Sequence, residues 1–123
     1  MPPDQVARVI ERARALFPGG GKIEITLEAN PTDAEAARFA ALAEAGVNRL
    51  SLGVQSLDDE ALKFLGRNHS AAEAMRALEL ARAAFARLSI DLIYARPGQT
   101  VAHWTGELNR AVDLGIMAAA GVR

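Results

Sequence analysis

"IEITLEANPTDAE", residues 23–35, passes from a strand into a helix. Ile23, Ile25 and Leu27 alternate with Glu24, Thr26 and Glu28, the period-two pattern of a strand with one buried face. Thr32 and Glu35 then stand in T-x-x-E spacing, the capping box that satisfies the first free amides of a helix. Glu28 and Asn30 fall where the strand runs out. A carboxylate there either accepts hydrogen bonds from loop amides or faces a ligand. The choice depends on whether other strands end the same way.

Two more do. "VNRLSLGV" (47–54) reads as a second strand leading into Gln55 and Ser56, and "LSIDLIY" (88–94) as a third leading into "ARPGQ". Helical patterns separate them. Residues 4–17 carry Val6, Val9, Ile10, Ala13 and Leu16 at spacings of three and four. The helix after Thr32 turns Ala36, Phe39, Ala40 and Ala43 inward and stops at Gly46. Ser56 with Asp59 has the spacing of a second capping box, opening a short helix to about Leu65. Ser70 with Glu73 forms a third, ahead of Ala74, Leu78, Ala81 and Phe85 on one helical side. Thr100 caps a last helix striped by Val101, Trp104, Leu108, Ala111 and Val112 and expected to end at Gly115. The "GGG" at 19–21 follows a helix and precedes a strand, the reverse of a phosphate-cradling loop, and reads as a turn.

The order α-β-α-β-α-α-β-α requires parallel strands joined by right-handed crossovers. The expected fold is therefore α/β: part of a (β/α) TIM-type barrel, with three parallel strands and flanking helices. Residues 1–115 form the core and 116–123 an unassigned tail. Such folds bind ligands beyond the carboxyl ends of their strands. That rim would carry Glu28 and Asn30, then Gln55 and Ser56, then Asp91, Tyr94, Arg96 and Gln99. Each has a plainer reading. Asn30 before Pro31 suits turn chemistry, Gln55 a loop backbone contact, and Ser56 a helix cap. Arg67 and His69, in "FLGRNHS", read as a surface charge and a solvated loop residue, and Trp104 as a core anchor. Asp91, between Ile90 and Leu92, is the exception, because a buried carboxylate needs a donor from the protein or from a ligand.

The 123 residues suit one small domain. Half are apolar, and the net charge of -1 gives no electrostatic reason to expect nucleic acid or an anionic membrane. No cysteine is present, which removes disulfides, thiol nucleophiles and thiolate-held clusters from this chain. His69 and His103 lack metal-ligand spacing. No stretch reaches the roughly 20 apolar residues of a membrane span, and a cytoplasmic location is expected.

The ordered blocks "EITLEANP", "AGVNRLSLGVQSLDDEALKFLGRNHS" and "DLIYARPGQT" resemble the radical S-adenosylmethionine proteins related to oxygen-independent coproporphyrinogen III oxidase. "LEANP", "GVQS" and "LGRNH" are similar to the heme-chaperone branch, and the resemblance spans about residues 1–115. It implies a partial barrel that binds S-adenosylmethionine through Glu28, Gln55, Arg67 and Asp91. It also implies a [4Fe–4S] cluster in full-length members, held by a Cys-x-x-x-Cys-x-x-Cys loop that this chain lacks. Arg96 stands where the family's loop more often has leucine.

The chain is accordingly expected to be an internal fragment, inactive alone, from a truncated or degenerate reading frame. Two open strand edges and an uncovered apolar rim would favour self-association. The alternative is a non-catalytic heme-binding module, with His69 or His103 as the available histidine ligands.

Overall fold

The computed structural model describes residues 1–19 and 23–114; Gly20, Gly21, Lys22, Gly115 and the 116–123 tail lie outside the described residues. The elements are α1 (Pro3–Leu16), β1 (Thr26–Ala29), α2 (Asp33–Ala36), α3 (Phe39–Glu44), β2 (Arg49–Gln55), α4 (Asp59–Phe64), α5 (Ala71–Ala84), β3 (Arg87–Leu92) and α6 (Val101–Asp113). The strands form one parallel sheet in the order β1-β2-β3. Right-handed crossovers that advance steadily in one direction put the connecting helices α2 to α5 on one face, the winding of a barrel rather than of an open doubly wound sheet. The expected fold class is the one observed.

The helical face holds the core. Leu50, Leu52 and Val54 of β2 are fully buried, with Ile90 and Leu92 of β3 beside them. Ala74, Ala77, Leu78 and Ala81 bring α5 close to the strands, and Phe39 meets Phe85 edge to face at 6.0 Å. The helix starts follow their sequence signals at Thr32, Ser70 and Thr100, whose side chains accept from the amides of Glu35, Glu73 and His103. At Ser70 the full reciprocal box forms. Gly46, with φ of 109°, turns the chain out of α3 as a C-terminal stop requires.

Several expectations change. The Thr32 helix is split at Ala37 and Arg38, where the Arg38 amide bonds to Glu35 in a tightened turn; Leu42 is buried and Ala40 is exposed. Helix α1 packs chiefly on α3, so only Val6 and Ile10 are covered, while Val9 and Leu16 face solvent. Val101 and Val112 of α6 are likewise exposed. The first strand begins at Thr26 rather than near Ile23. Upstream, the Asn48 side chain accepts from the Ile25 amide and donates to the Ile23 carbonyl at 2.8 Å each, standing in for a strand partner. Helix α4 is capped by Asp58, which accepts from the amides of Glu60 and Ala61; Ser56 is engaged elsewhere.

The sheet's second face is polar, not an uncovered apolar rim. Arg49 and Arg87 pair with Glu24, Ser89 donates to Ser51 at 3.1 Å, and Glu28, Ser51 and Ser89 lie abreast on neighbouring strands. Among the described residues no helix is long and apolar enough to cross a membrane.

Candidate functional site

Strands of period two send alternate residues to the polar face: Glu28 from β1, Ser51 and Gly53 from β2, and Asp91 from β3. At the end of β2 the register shifts between Leu52 and Gln55, and Gln55 adopts a φ of 68°, a left-handed conformation that costs a non-glycine residue free energy. The shift re-aims the end of β2 toward the loops, as bulges do at barrel rims. The result is a cavity of about 340 Å³ at the carboxyl ends of the strands, bordered by Glu28, Asn30, Gln55, Arg67 and Asp91 with Ser51, Gly53 and Glu35 behind them.

Glu28, Gln55, Arg67 and Asp91, the four residues singled out by the family resemblance, therefore border one cavity, whereas Ser56, Tyr94, Arg96 and Gln99 of the expected rim do not. Arg67 is not an ordinary surface charge. The α4–α5 connection carries it back over the sheet, where one terminal nitrogen donates to Asn30 Oδ1 at 2.6 Å and lies 3.5 Å from the Gly53 carbonyl. Its Nε is buried without a partner among the described residues. Asn30 thus does more than make a turn: its side chain orients Arg67, while its amide donates to Glu35 Oε2 at 2.6 Å. The Glu35 carboxylate closes the first strand exit instead of completing the Thr32 box. Among the described residues the side chains of Glu28, Gln55 and Asp91 have no hydrogen-bond partner, which leaves their polar atoms free to face a ligand.

The sequence reading missed Glu35, Ser51 and Gly53 as wall residues. In the sequence Glu35 reads as part of the T-x-x-E capping pattern. The alternation of Ser51, Gly53 and Gln55 along "LSLGVQ" was the available signal for the other two. A Cβ built on Gly53 would stand 3.0 Å from Gln55 Nε2 and 3.8 Å from an Arg67 terminal nitrogen, so the missing side chain keeps the floor open.

His69 is buried, not solvated. Its Nε2 lies 3.1 Å from the Val54 carbonyl and its Nδ1 is enclosed without a partner, so it pins the loop that carries Arg67 to the end of β2. It is not presented to a heme iron. His103 is exposed on α6, bordering a second, larger cleft of about 570 Å³ between α4, α6 and the "ARPGQ" loop. Trp104 is half-buried against the core and packs its ring 5.8 Å from Tyr94, close to its expected role. Arg96 and Ser56 do not face the cavity; both bond to Glu107, a buried residue of α6.

The Radical SAM superfamily model matches residues 1–110. The chain belongs to that superfamily. It is 48% identical over 109 residues to the mouse radical S-adenosyl methionine domain-containing protein 1, mitochondrial, covering 88% of this chain and 25% of the relative. It is 43% identical over 107 residues to the heme chaperone HemW of Escherichia coli, covering 86% of this chain and 28% of that protein. The solved structure of E. coli coproporphyrinogen III oxidase, HemN, a radical SAM enzyme, superposes with a TM-score of 0.77 at 30% identity over 93% of this chain and 26% of that one. This radical SAM segment is thus related to the heme-chaperone and coproporphyrinogen-oxidase branch, and it spans about a quarter of the length of these relatives.

The donor set discriminates between the two groups that such a family name implies. With no cysteine in the sequence, and no cluster of three His, Asp or Glu among the described residues fit to hold a metal, an iron–sulfur cluster does not fit this chain. S-adenosylmethionine does. Three carboxylates against one arginine give the cavity a formal charge of -2, and the orphaned Arg67 Nε and the Gly53 floor leave room for a polar ligand. Its volume lies near the lower end of the roughly 300–1,000 Å³ of small-molecule sites.

Proposed function

We propose that this chain supplies part of the S-adenosylmethionine rim of a radical S-adenosylmethionine protein of heme or porphyrin metabolism. The observation that carries it is the convergence of Glu28, Gln55, Arg67 and Asp91, drawn from positions 28 to 91, on one polar cavity. Arg67 is the group for the methionyl carboxylate, since a guanidinium binds carboxylates through a charge-assisted fork. Glu28 and Asp91 are acceptors for the ribose hydroxyls and the ammonium, and Gln55 offers both a donor and an acceptor. The excess of carboxylates complements a ligand that carries a sulfonium and an ammonium group.

Reductive cleavage of the cofactor needs an electron from a cluster, and this chain has no thiolate to hold one, so the segment binds and orients rather than reacts. Heme or porphyrin is read as the cargo or substrate of the whole protein, in keeping with the names of its relatives.

Calorimetric titration of the chain with S-adenosylmethionine tests the assignment. Binding is expected, weakened roughly 10- to 100-fold by Arg67→Ala, the worth of a hydrogen bond to a charged group, and weakened also by Asp91→Ala. No binding by the wild type, or binding indifferent to both substitutions, overturns it.

We also propose that the chain self-associates through its open edges, since β1 and β3 each have a free side among the described residues. Sedimentation over a concentration series should show growing oligomers. A strictly monomeric species with a sharp, concentration-independent melt would refute this.

A further inference from the structure

Glu107 is a buried carboxylate on the outer helix α6, with no part in the cavity wall, and it touches both neighbouring strand exits. One oxygen, Oε1, accepts from the Ser56 hydroxyl and from the Leu57 amide, the latter at 2.7 Å. The other, Oε2, accepts from Arg96 at 3.0 Å, and Arg96 in turn donates to the Ile93 carbonyl at 3.0 Å. Both partners of the ion pair are well shielded, at 10% and 7% side-chain exposure. The circuit closes through the backbone, because the Ile93 amide donates to the Gln55 carbonyl at 2.9 Å. Arg110, one helical turn from Glu107, adds a bond to the Leu57 carbonyl at 3.2 Å. Breaking a shielded pair by removing one partner leaves an uncompensated charge, so this arrangement holds its geometry firmly.

The circuit adjoins two wall residues along the chain. Ser56 and Leu57 follow Gln55, and Ile93 lies two residues past Asp91. Gln55 holds a left-handed φ that the surrounding structure must enforce, and Ala95, beside Arg96, holds another at 57°. Such conformations persist only when neighbouring contacts over-determine them. Glu107 supplies those contacts on both sides at once.

We propose that Glu107 is a positioning residue: through Ser56 and Leu57 on one side and Arg96 on the other, it clamps the exits of β2 and β3 and sets where Gln55 and Asp91 stand across the cavity. Its consequence for cofactor affinity rests on the reading of that cavity given above; the clamp itself does not. Arg96, where the resembling family's loop more often has leucine, gives this chain an ionic form of the clamp.

The test is residue-resolved amide hydrogen exchange on the ligand-free chain, with calorimetric titration of S-adenosylmethionine as a second arm. In Glu107→Gln the amides of Ile93 and Leu57 should exchange at least roughly tenfold faster, while the mid-strand amides of β2 and β3 keep their rates, since local opening and global unfolding are separable by exchange. Arg96→Leu, which leaves Ser56 and Leu57 bonded to Glu107, should speed Ile93 alone and serves if Glu107→Gln fails to fold. In the second arm Glu107→Gln should weaken the cofactor roughly tenfold, the loss of about one net hydrogen bond. Uniform acceleration along both strands, or none at Ile93, overturns the clamp. Unchanged affinity beside faster Ile93 exchange overturns its role at the cavity. If the wild type itself binds no S-adenosylmethionine, the cofactor reading falls, and the exchange data alone still decide the clamp.

Discussion

The two faces of the sheet are made by the same strands, residue by residue, and yet they do opposite things. On β2, Leu50, Leu52 and Val54 are sealed under the helices, while Arg49, Ser51, Gly53 and Gln55 between them form a polar surface that ends in the cavity. The apolar face draws its stability from area removed from water and tolerates no gap. The polar face leaves Glu28, Gln55 and Asp91 unpartnered among the described residues, an arrangement that contributes little to folding and suits recognition. Stability and function are thus interleaved at a spacing of one residue, and a register slip would exchange them.

Substitutions at adjacent positions separate the two faces. The largest effect belongs to Leu52→Ala: deleting a fully buried side chain should cost about 2–5 kcal/mol in urea unfolding. A loss well under 1 kcal/mol would mean that the helical face is not the core. Gly53→Ala, one residue along, should leave the melt close to that of the wild type, because the new methyl's one tight contact is the movable end of Gln55, the Ala29 carbonyl and Arg67 lying at an ordinary 3.8 Å. It should nonetheless weaken S-adenosylmethionine by roughly tenfold, the worth of one misplaced hydrogen bond. Equal losses of stability and binding would erase the distinction between the faces. The smallest effect is expected at Arg76→Ala, whose partner Asp33 shares its exposed position outside the helical layer. Such pairs contribute little, and neither the melt nor the titration should move. A clear fall in affinity would show that the outer surface communicates with the cavity.

Much of this was legible beforehand. Period-two alternation located the central and third strands to within one or two residues, and the capping patterns at Thr32, Ser70 and Thr100 located three helix starts. Strand exits sharing one rim bring Glu28, Gln55 and Asp91 together from the sequence alone, since parallel strands require it. The failures have a common cause. Ser56 reads as a cap, His69 as a solvated loop residue and Arg96 as a rim residue, because local pattern registers what a side chain can do with its near neighbours. Their actual partners, Glu107, the Val54 carbonyl and Glu107 again, lie 51, 15 and 11 residues away. Helical faces were overdrawn for the same reason: Val9 and Val112 continue an apolar stripe that finds nothing to cover it among the described residues.

The order of elements, the parallel sheet and the three strand ends that face one way follow from the chain's own periodicity and caps, because those are short-range consequences of backbone geometry. Which of the polar residues are left unpartnered, how Arg67 reaches across to Asn30, and that Glu107 ties two exits together were decided only on folding. Long-range hydrogen bonds between buried groups depend on which backbones end up adjacent, and that information is not carried at any single position.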